Sequence, residues 1–270
     1  MSLDVQMDTN QYLIEYYNRG NEDGRLVSRH GSVEFLTTMR YIGRYAKPGD
    51  KIIDIGAGTG RYSHALARAG YDVNAVELVE SNIDVFHRNT EPGEKAVISQ
   101  GNALDLSCFG NNVYDITLLF GPMYHLFTIE DKQRALSEAL RVTKQGGVVF
   151  VAYCISDASI LDGGFKAKRF GIAEFIEKGH IDPVTFAATS EPALLFELVR
   201  KEDIDDLMSA YPVSRSHYVA TDGYAFHMRG EIDAMDDSEF DLFMQYHYAT
   251  CERGDMVGLS AHTLDVFKKD

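Results

Sequence analysis

Cysteine is scarce: three in 270 residues, at Cys108, Cys154 and Cys251, an odd number with no CxxC and no Pro-Cys pair. That scatter argues against a disulfide framework and predicts reduced, mostly buried thiols in a cytoplasmic protein. No apolar run approaches the roughly eighteen residues of a membrane span, so no membrane partner is expected. The opening MSLDVQMDTNQ lacks the basic-then-apolar order of a signal peptide. Positive charge is short as well: 26 Lys and Arg against 41 Asp and Glu, a formal net charge of −15. A surface of that sign repels a phosphate backbone, and no nucleic-acid partner is expected. The densest basic run, KAKR at 166–169, reads as a solvated loop or helix face. Internal repeats and low-complexity tracts are absent.

What is present is an apolar fraction of 45%, enough to build a real core, patterned as strand–helix alternation. Residues 1–47 read as a helical cap, with Phe35, Leu36, Met39, Ile42 and Tyr45 at helical spacing and a polar loop at RGNEDGRLVSRHG. DKIIDIG is then a strand, GRYSHALARAG a helix with Gly70 at its C-terminal cap, YDVNAVEL a strand and ESNIDVFHRN a helix. KAVISQGNALDL and YDITLLFG supply two further strands. Thr128, with Asp131 three residues on, caps a helix that the pair Gly146 and Gly147 is expected to stop before the strand VVFVAYC.

This alternation predicts an α/β fold: a doubly wound, Rossmann-like, mostly parallel sheet of about seven strands with helices on both faces. After Cys154 the pattern loosens into glycine-rich and aromatic segments, with helices at RKEDIDDLMSAY and DDSEFDLFMQYHYATCERG and strands at SRSHYVAT and AHTLDVFKK. The expected organisation is a cap over 1–47, a ligand-binding core over 48–155, a covering segment with late sheet elements over 156–250, and a final core strand over 251–270.

Such sheets bind ligands beyond the carboxyl ends of their strands, and the first strand runs straight into DIGAGTG. A glycine-rich turn of this kind brings bare backbone and free helix N–H groups up to a ligand. No lysine follows Gly60, which excludes a P-loop, and Gly56, Gly58 and Gly60 are spaced GxGxG where a dinucleotide fingerprint is GxGxxG. Asp54, inside the strand, is a poor neighbour for a pyrophosphate and suits a cationic or polar ligand.

DIGAGTG resembles the glycine signature of class I S-adenosylmethionine-dependent methyltransferases, an acidic residue followed by GxGxG. The elements that follow come in the order that family uses, across 51–153. Glu77 ends the second strand 17 residues after Gly60, where the resemblance implies a carboxylate accepting the ribose hydroxyls, with Leu78 beside it. Asn102 and Ala103, after the third strand, resemble the segment at the adenine edge, with asparagine where aspartate is usual. Phe120 and GPMYHL resemble the end of the fourth strand in small-molecule enzymes that read Gly-Pro-Leu-Tyr-His-Leu there. NEDGRL…VEFL is similar to their N-terminal segment, which folds over the cofactor. The resemblance thus implies S-adenosylmethionine as cofactor, held by Asp54, Gly56, Ala57, Gly58, Gly60, Glu77, Leu78, Asn102, Ala103 and Phe120, with Tyr17 and Arg25 from the cap.

Methyl transfer from a sulfonium is an in-line displacement that needs alignment and exclusion of water, and a base only when the acceptor keeps its proton. The NPPY-type tetrad of amino-methylating nucleic-acid enzymes is absent, the place reading FGPM, as is the Pro-Cys nucleophile of cytosine C5 enzymes. Tyr124 and His125, presented by a turn that Pro122 fixes, are the catalytic candidates. Tyr16 is a further cap contact, and Tyr246 and His247 are candidates for a far wall. His180, His217, His227, His247 and His262 have no ligand-like spacing, so no metal is expected. The expected function is a small-molecule methyltransferase of monomeric or homodimeric form. A protein or RNA methyltransferase, an NAD-dependent oxidoreductase and a non-catalytic cofactor-binding protein are the alternatives.

Overall fold

The structure is a computed structural model describing residues 9–20 and 23–270; Met1–Asp8, and Asn21 and Glu22 of the NEDGRL run, lie outside the described residues. Helices α1 (Thr9–Tyr17) and α2 (Arg29–Tyr45) precede the sheet. The loop between them is shorter than its polarity predicts. Ser28 caps α2 by accepting from the Gly31 N–H at 3.1 Å, which draws RHG into the first helical turn. One face of α2 is buried through Val33, Thr37, Tyr41 and Ile42.

The alternating core follows as β1 (Lys51–Ile55), α3 (Arg61–Arg68), β2 (Asp72–Glu77), α4 (Glu80–Asn89), β3 (Ala96–Gln100), β4 (Tyr114–Leu119), α5 (Ile129–Val142) and β5 (Thr143–Ile155). Thr128 caps α5 as expected, accepting from the Asp131 N–H at 3.1 Å. The helix, however, ends at Val142, and Gly146 and Gly147 lie inside β5. They belong to a bulge: Tyr114 pairs with Thr143, and the next pairing is Ile116 with Val148. Gly146 takes φ +73° there, and a Cβ on Gly147 would sit 2.7 Å from the Thr143 side chain. The glycines thus kink a strand and do not stop a helix.

The remaining elements are α6 (Ser156–Ser159), α7 (Ile172–Glu177), the two-residue β6 (Leu198–Val199), α8 (Lys201–Met208), β7 (Val213–Ala220), α9 (Arg229–Ala234), α10 (Asp237–Thr250) and β8 (His262–Lys269). Among the described residues eight strands form one sheet, ordered β3-β2-β1-β4-β5-β8-β7, with β6 on the end of β5. All pairings are parallel except those of β8, which runs against both β5 and β7. The eighth strand, beyond the expected seven, is the short β6. Two apolar layers, one holding Ile53, Val149 and Phe267 and the other Ile52, Phe150 and Val266, cover the two sheet faces, as alternation along buried strands requires. The order reverses between β1 and β4, so their carboxyl ends open the crevice where a ligand belongs. No described helix is long and apolar enough to cross a membrane.

Candidate active site

A cavity of about 420 Å³ lies over that crevice, floored by the loop after β1. The loop is pinned underneath: the Gly56 and Ala57 N–H groups donate to the Val76 carbonyl at 2.8 and 3.1 Å. Gly56, Gly58 and Gly60 all take positive φ, +79°, +55° and +90°. At Gly56 a Cβ would meet Pro122 Cδ at 2.5 Å and the Phe120 carbonyl at 2.8 Å, so the β1 and β4 turns touch only because glycine is there.

Gly60 differs from the other two. It does not line the cavity; a Cβ there would meet Phe86 at 2.5 Å and His64 at 2.6 Å. Its part is to let α3 pack on α4, and its assignment to the ligand contacts is corrected accordingly. Gly60→Ala is expected to destabilise the fold by about 2 kcal/mol or more, from left-handed strain plus overpacking of two buried rings, measurable by urea unfolding.

Two carboxylates face the crevice. Glu77, 6% exposed, accepts from Gly58 N–H at 2.8 Å on Oε2, and from Val79 N–H at 2.9 Å and Asn82 Nδ2 at 3.2 Å on Oε1. Three of its roughly four acceptor positions are thus used and one is left. Burial raises its pKa, and the backbone donors oppose that. Asp54, 1% exposed, accepts from Ser63 Oγ at 2.6 Å on Oδ2, while its Oδ1 is buried with no partner among the described residues. Burial pushes its pKa up to about 6, helped by the Glu77 charge and opposed by the Ser63 bond. A buried, orphaned carboxylate oxygen beside a bare backbone cradle is a site that lacks a cationic or hydrogen-bonding partner. Asn102 Oδ1 accepts from Leu104 N–H at 2.9 Å, so its side-chain oxygen holds its own turn and its NH₂ has no partner among the described residues.

The cavity brings together Asp54, Gly56, Ala57, Gly58, Glu77, Leu78, Asn102, Ala103, Phe120, Tyr17 and Arg25, every residue expected to hold the cofactor except Gly60, with the catalytic candidates Tyr124 and His125. Pro122 opens a 3₁₀ turn, Pro122–Tyr124, that places Tyr124 and His125 on the rim. His125 Nδ1 lies 2.9 Å from the Leu195 carbonyl, which fixes the proton on that nitrogen; Nε2 then accepts the Tyr17 hydroxyl at 3.0 Å. Burial pushes the His125 pKa down to about 4, with the Leu195 bond opposing. His125 is thus a neutral ring that ties α1 to the core, and Tyr17 is the group it presents to the cavity. Arg25 holds Glu34 through 2.8 and 3.3 Å bonds. Tyr16 packs edge-on against Tyr17 and Phe196, and neither Tyr246 nor His247 lines the cavity.

Cover comes from a different place than expected. Of residues 156–250 only Pro192 and Thr221 reach the cavity; α1 (Leu13, Tyr17) and Leu126–Thr128 close it. No motif pointed to Glu34, Asp222 and His262, which come from α2, the turn after β7 and the start of β8 and whose donor atoms lie within 4.8 Å of one another. Their spacing in the chain carries no signal, because only the tertiary fold brings them together.

Fold and crevice define a Rossmann-like protein with a nucleoside-sized site at the switch of strand order. Residues 53–151 match a family whose description is "Methyltransferase domain". Demethylmenaquinone methyltransferase of Renibacterium salmoninarum is 36% identical over 108 residues, 40% of this chain and 42% of that one. Ubiquinone biosynthesis O-methyltransferase of Coxiella burnetii is 28% identical over 149 residues, 53% of this chain and 59% of that one. The matches span about half the length of these curated relatives. A Thermotoga maritima S-adenosylmethionine-dependent methyltransferase, a possible histamine N-methyltransferase, shares the fold, with a TM-score of 0.55, 17% identity and coverage of 96% of this chain and 99% of that one. Residues 53–151 are thus similar to a methyltransferase domain, carried on a fold that a solved S-adenosylmethionine-dependent methyltransferase shares.

Proposed function

We propose that the protein is an enzyme that moves the methyl group of S-adenosylmethionine onto a nucleophilic atom of a small molecule. The observation that carries this is the coincidence of the methyltransferase-domain match, 53–151, with the residues that build the crevice: Asp54, the Gly56–Gly58 backbone, Glu77 and Asn102. The donor set fits the cofactor. Glu77 keeps an acceptor position for a ribose hydroxyl, Asn102 offers its NH₂ and a second lone pair to the adenine edge, and the orphaned Asp54 oxygen suits the methionine ammonium. When bound, the cofactor supplies a methyl group on a sulfonium.

The chain's own contribution is to align, enclose and desolvate. The cavity volume falls in the range of small-molecule sites, about 300–1,000 Å³. Its cover by α1 and Leu126–Thr128 favours a small acceptor over a protein or RNA segment, and the net charge of −15 disfavours RNA further. Exclusion of water by that cover strengthens each electrostatic contact inside and keeps the acceptor from competing with solvent.

Incubating the protein with methyl-labelled S-adenosylmethionine and a metabolite extract is expected to move label into a low-molecular-weight product. Label found only in macromolecules would favour the protein or RNA alternative. Tight retention of NAD with no S-adenosylmethionine binding would overturn the reading in favour of an oxidoreductase.

A further inference from the structure

Across the sheet from the Asn102 end, the cavity has a second polar wall that the cofactor contacts do not use. β8 is three strands from β1 in the order β1-β4-β5-β8, roughly 14 Å away. His262 opens β8, paired with Cys154 near the carboxyl end of β5, so it stands on the same rim as the glycine loop. If the cofactor's sugar and base run toward β2 and β3, this wall belongs to the acceptor.

The wall is built with care. Asp222, 5% exposed, has Oδ1 bound by Ser260 Oγ at 2.6 Å, Ala261 N–H at 3.0 Å and His262 N–H at 3.2 Å. Its Oδ2 lies 2.7 Å from His262 Nδ1, and Glu34 Oε2 lies 3.5 Å from the same nitrogen. That fixes a proton on Nδ1 and leaves Nε2 without a partner among the described residues, on a ring that is 27% exposed and lines the cavity. A buried carboxylate against one nitrogen of a histidine favours the protonated ring, whose second N–H then faces the substrate space. Beside it the cavity is lined by Tyr62, Phe120, Ala152 and Leu264, apolar walls suited to a flat ring.

We propose that His262, positioned by Asp222 and Glu34, is the cationic group of the acceptor site, and that it selects an acceptor bearing an acidic hydroxyl on an aromatic ring, bound as its anion. The inference rests on the methyl-transfer reading and deepens it. In the step it describes, the hydroxyl O–H bond breaks, the proton passes to solvent, and the electron pair stays on the oxygen, held against the imidazolium. That pair then forms the O–CH₃ bond as the S–CH₃ bond breaks, and the sulfur keeps the bonding pair. An acceptor that arrives already ionised meets the imidazolium directly, and the same ion pair results.

Charge decides between this and its competitors. Burial alone would lower the His262 pKa, but the Glu34 and Asp222 carboxylates facing the ring outweigh burial and raise it well above its ordinary value, which favours the imidazolium. Arg25 pairs with Glu34 and His262 with Asp222, so each carboxylate of the group already has a cationic partner. A divalent cation would unbalance that pairing. Such an ion would also have to compete for a Glu34 carboxylate whose two oxygens Arg25 engages. An ammonium acceptor would face the imidazolium. A phenolate is the ligand that the charge at Nε2 favours.

The probe is 4-nitrophenol, whose phenolate form is coloured, titrated against the protein saturated with S-adenosylhomocysteine. The expected result is a bound probe half-ionised about 1 to 3 pH units below its value in free solution. His262→Gln, and separately Asp222→Asn, should lower bound phenolate at pH 6 by about tenfold or more. Absence of bound phenolate in the wild-type protein, or an unchanged titration in a folded His262→Gln protein, would overturn the proposal. So would micromolar binding of Mg²⁺ or Zn²⁺ that His262→Gln abolishes. If S-adenosylhomocysteine itself fails to bind, the methyl-transfer reading falls; if it binds and the phenolate does not, only the assignment of His262 falls.

Discussion

Replacing Glu77 by alanine is expected to lower the affinity for S-adenosylmethionine by about 100-fold or more, as read by titration calorimetry. The residue is placed twice over. Its Oε2 holds the Gly58 N–H, and its Oε1 holds Val79 and Asn82, so the glycine loop and the start of α4 hang on one side chain. Hydrogen bonds to a charged group are worth about 1.5–3 kcal/mol each, and loss of the ribose contact together with a loosened loop passes two orders of magnitude. The substitution also leaves buried N–H groups without an acceptor, so a lower melting temperature of the free protein should accompany it. Affinity within threefold of wild type would remove Glu77 from the site.

Asp54→Asn should act in opposite directions on stability and on binding. The folded carboxyl has its pKa pushed up to about 6, against an ordinary value of 3.8. A raised carboxyl pKa means that the folded state binds more protons than the unfolded state between about pH 4 and 6. Stability therefore falls as pH rises through that window, and the whole penalty is present above it. At pH 7 asparagine removes the buried charge while its Oδ1 keeps the Ser63 bond. The free protein should gain about 2–3 kcal/mol, a rise of a few degrees in melting temperature. The gain should vanish near pH 4. Affinity for S-adenosylmethionine should meanwhile drop by about tenfold or more, because the orphaned oxygen is the partner offered to the ligand's ammonium. Unchanged melting at pH 7 would contradict the burial argument; unchanged affinity would contradict the placement of the ammonium. A stability penalty carried at a binding site is the expected cost of preorganisation.

Much of this was legible in the chain. The β1–α3–β2 unit declares itself because apolar period and glycine punctuation are local properties: KIIDI ends at Ile55, just before Gly56, and α3 starts at Arg61, just after Gly60. Glu77 could be read because a strand end fixes where a side chain sits. The readings that failed share a cause. Gly146 and Gly147 looked like a helix stop, yet β4 pairing turned them into a bulge, and Gly60 looked like a ligand contact, yet it serves the rings of His64 and Phe86. In each case a partner distant in sequence set the role. Glu34, Asp222 and His262 are the extreme instance, drawn from α2, the turn after β7 and the first residue of β8. His125 shows the converse: its place on the rim followed from the Pro122 turn, but its tautomer depends on the Leu195 carbonyl, 70 residues away.

The central claim is tested most directly by a crystal structure of the protein with S-adenosylhomocysteine. The ligand is predicted to lie across the Gly56–Gly58 backbone, ribose hydroxyl on Glu77, base beside Asn102, and its sulfur turned toward the β4–β8 side of the cavity. Clear density for the ligand anywhere else, or a saturated crystal with this crevice holding only solvent, would contradict it.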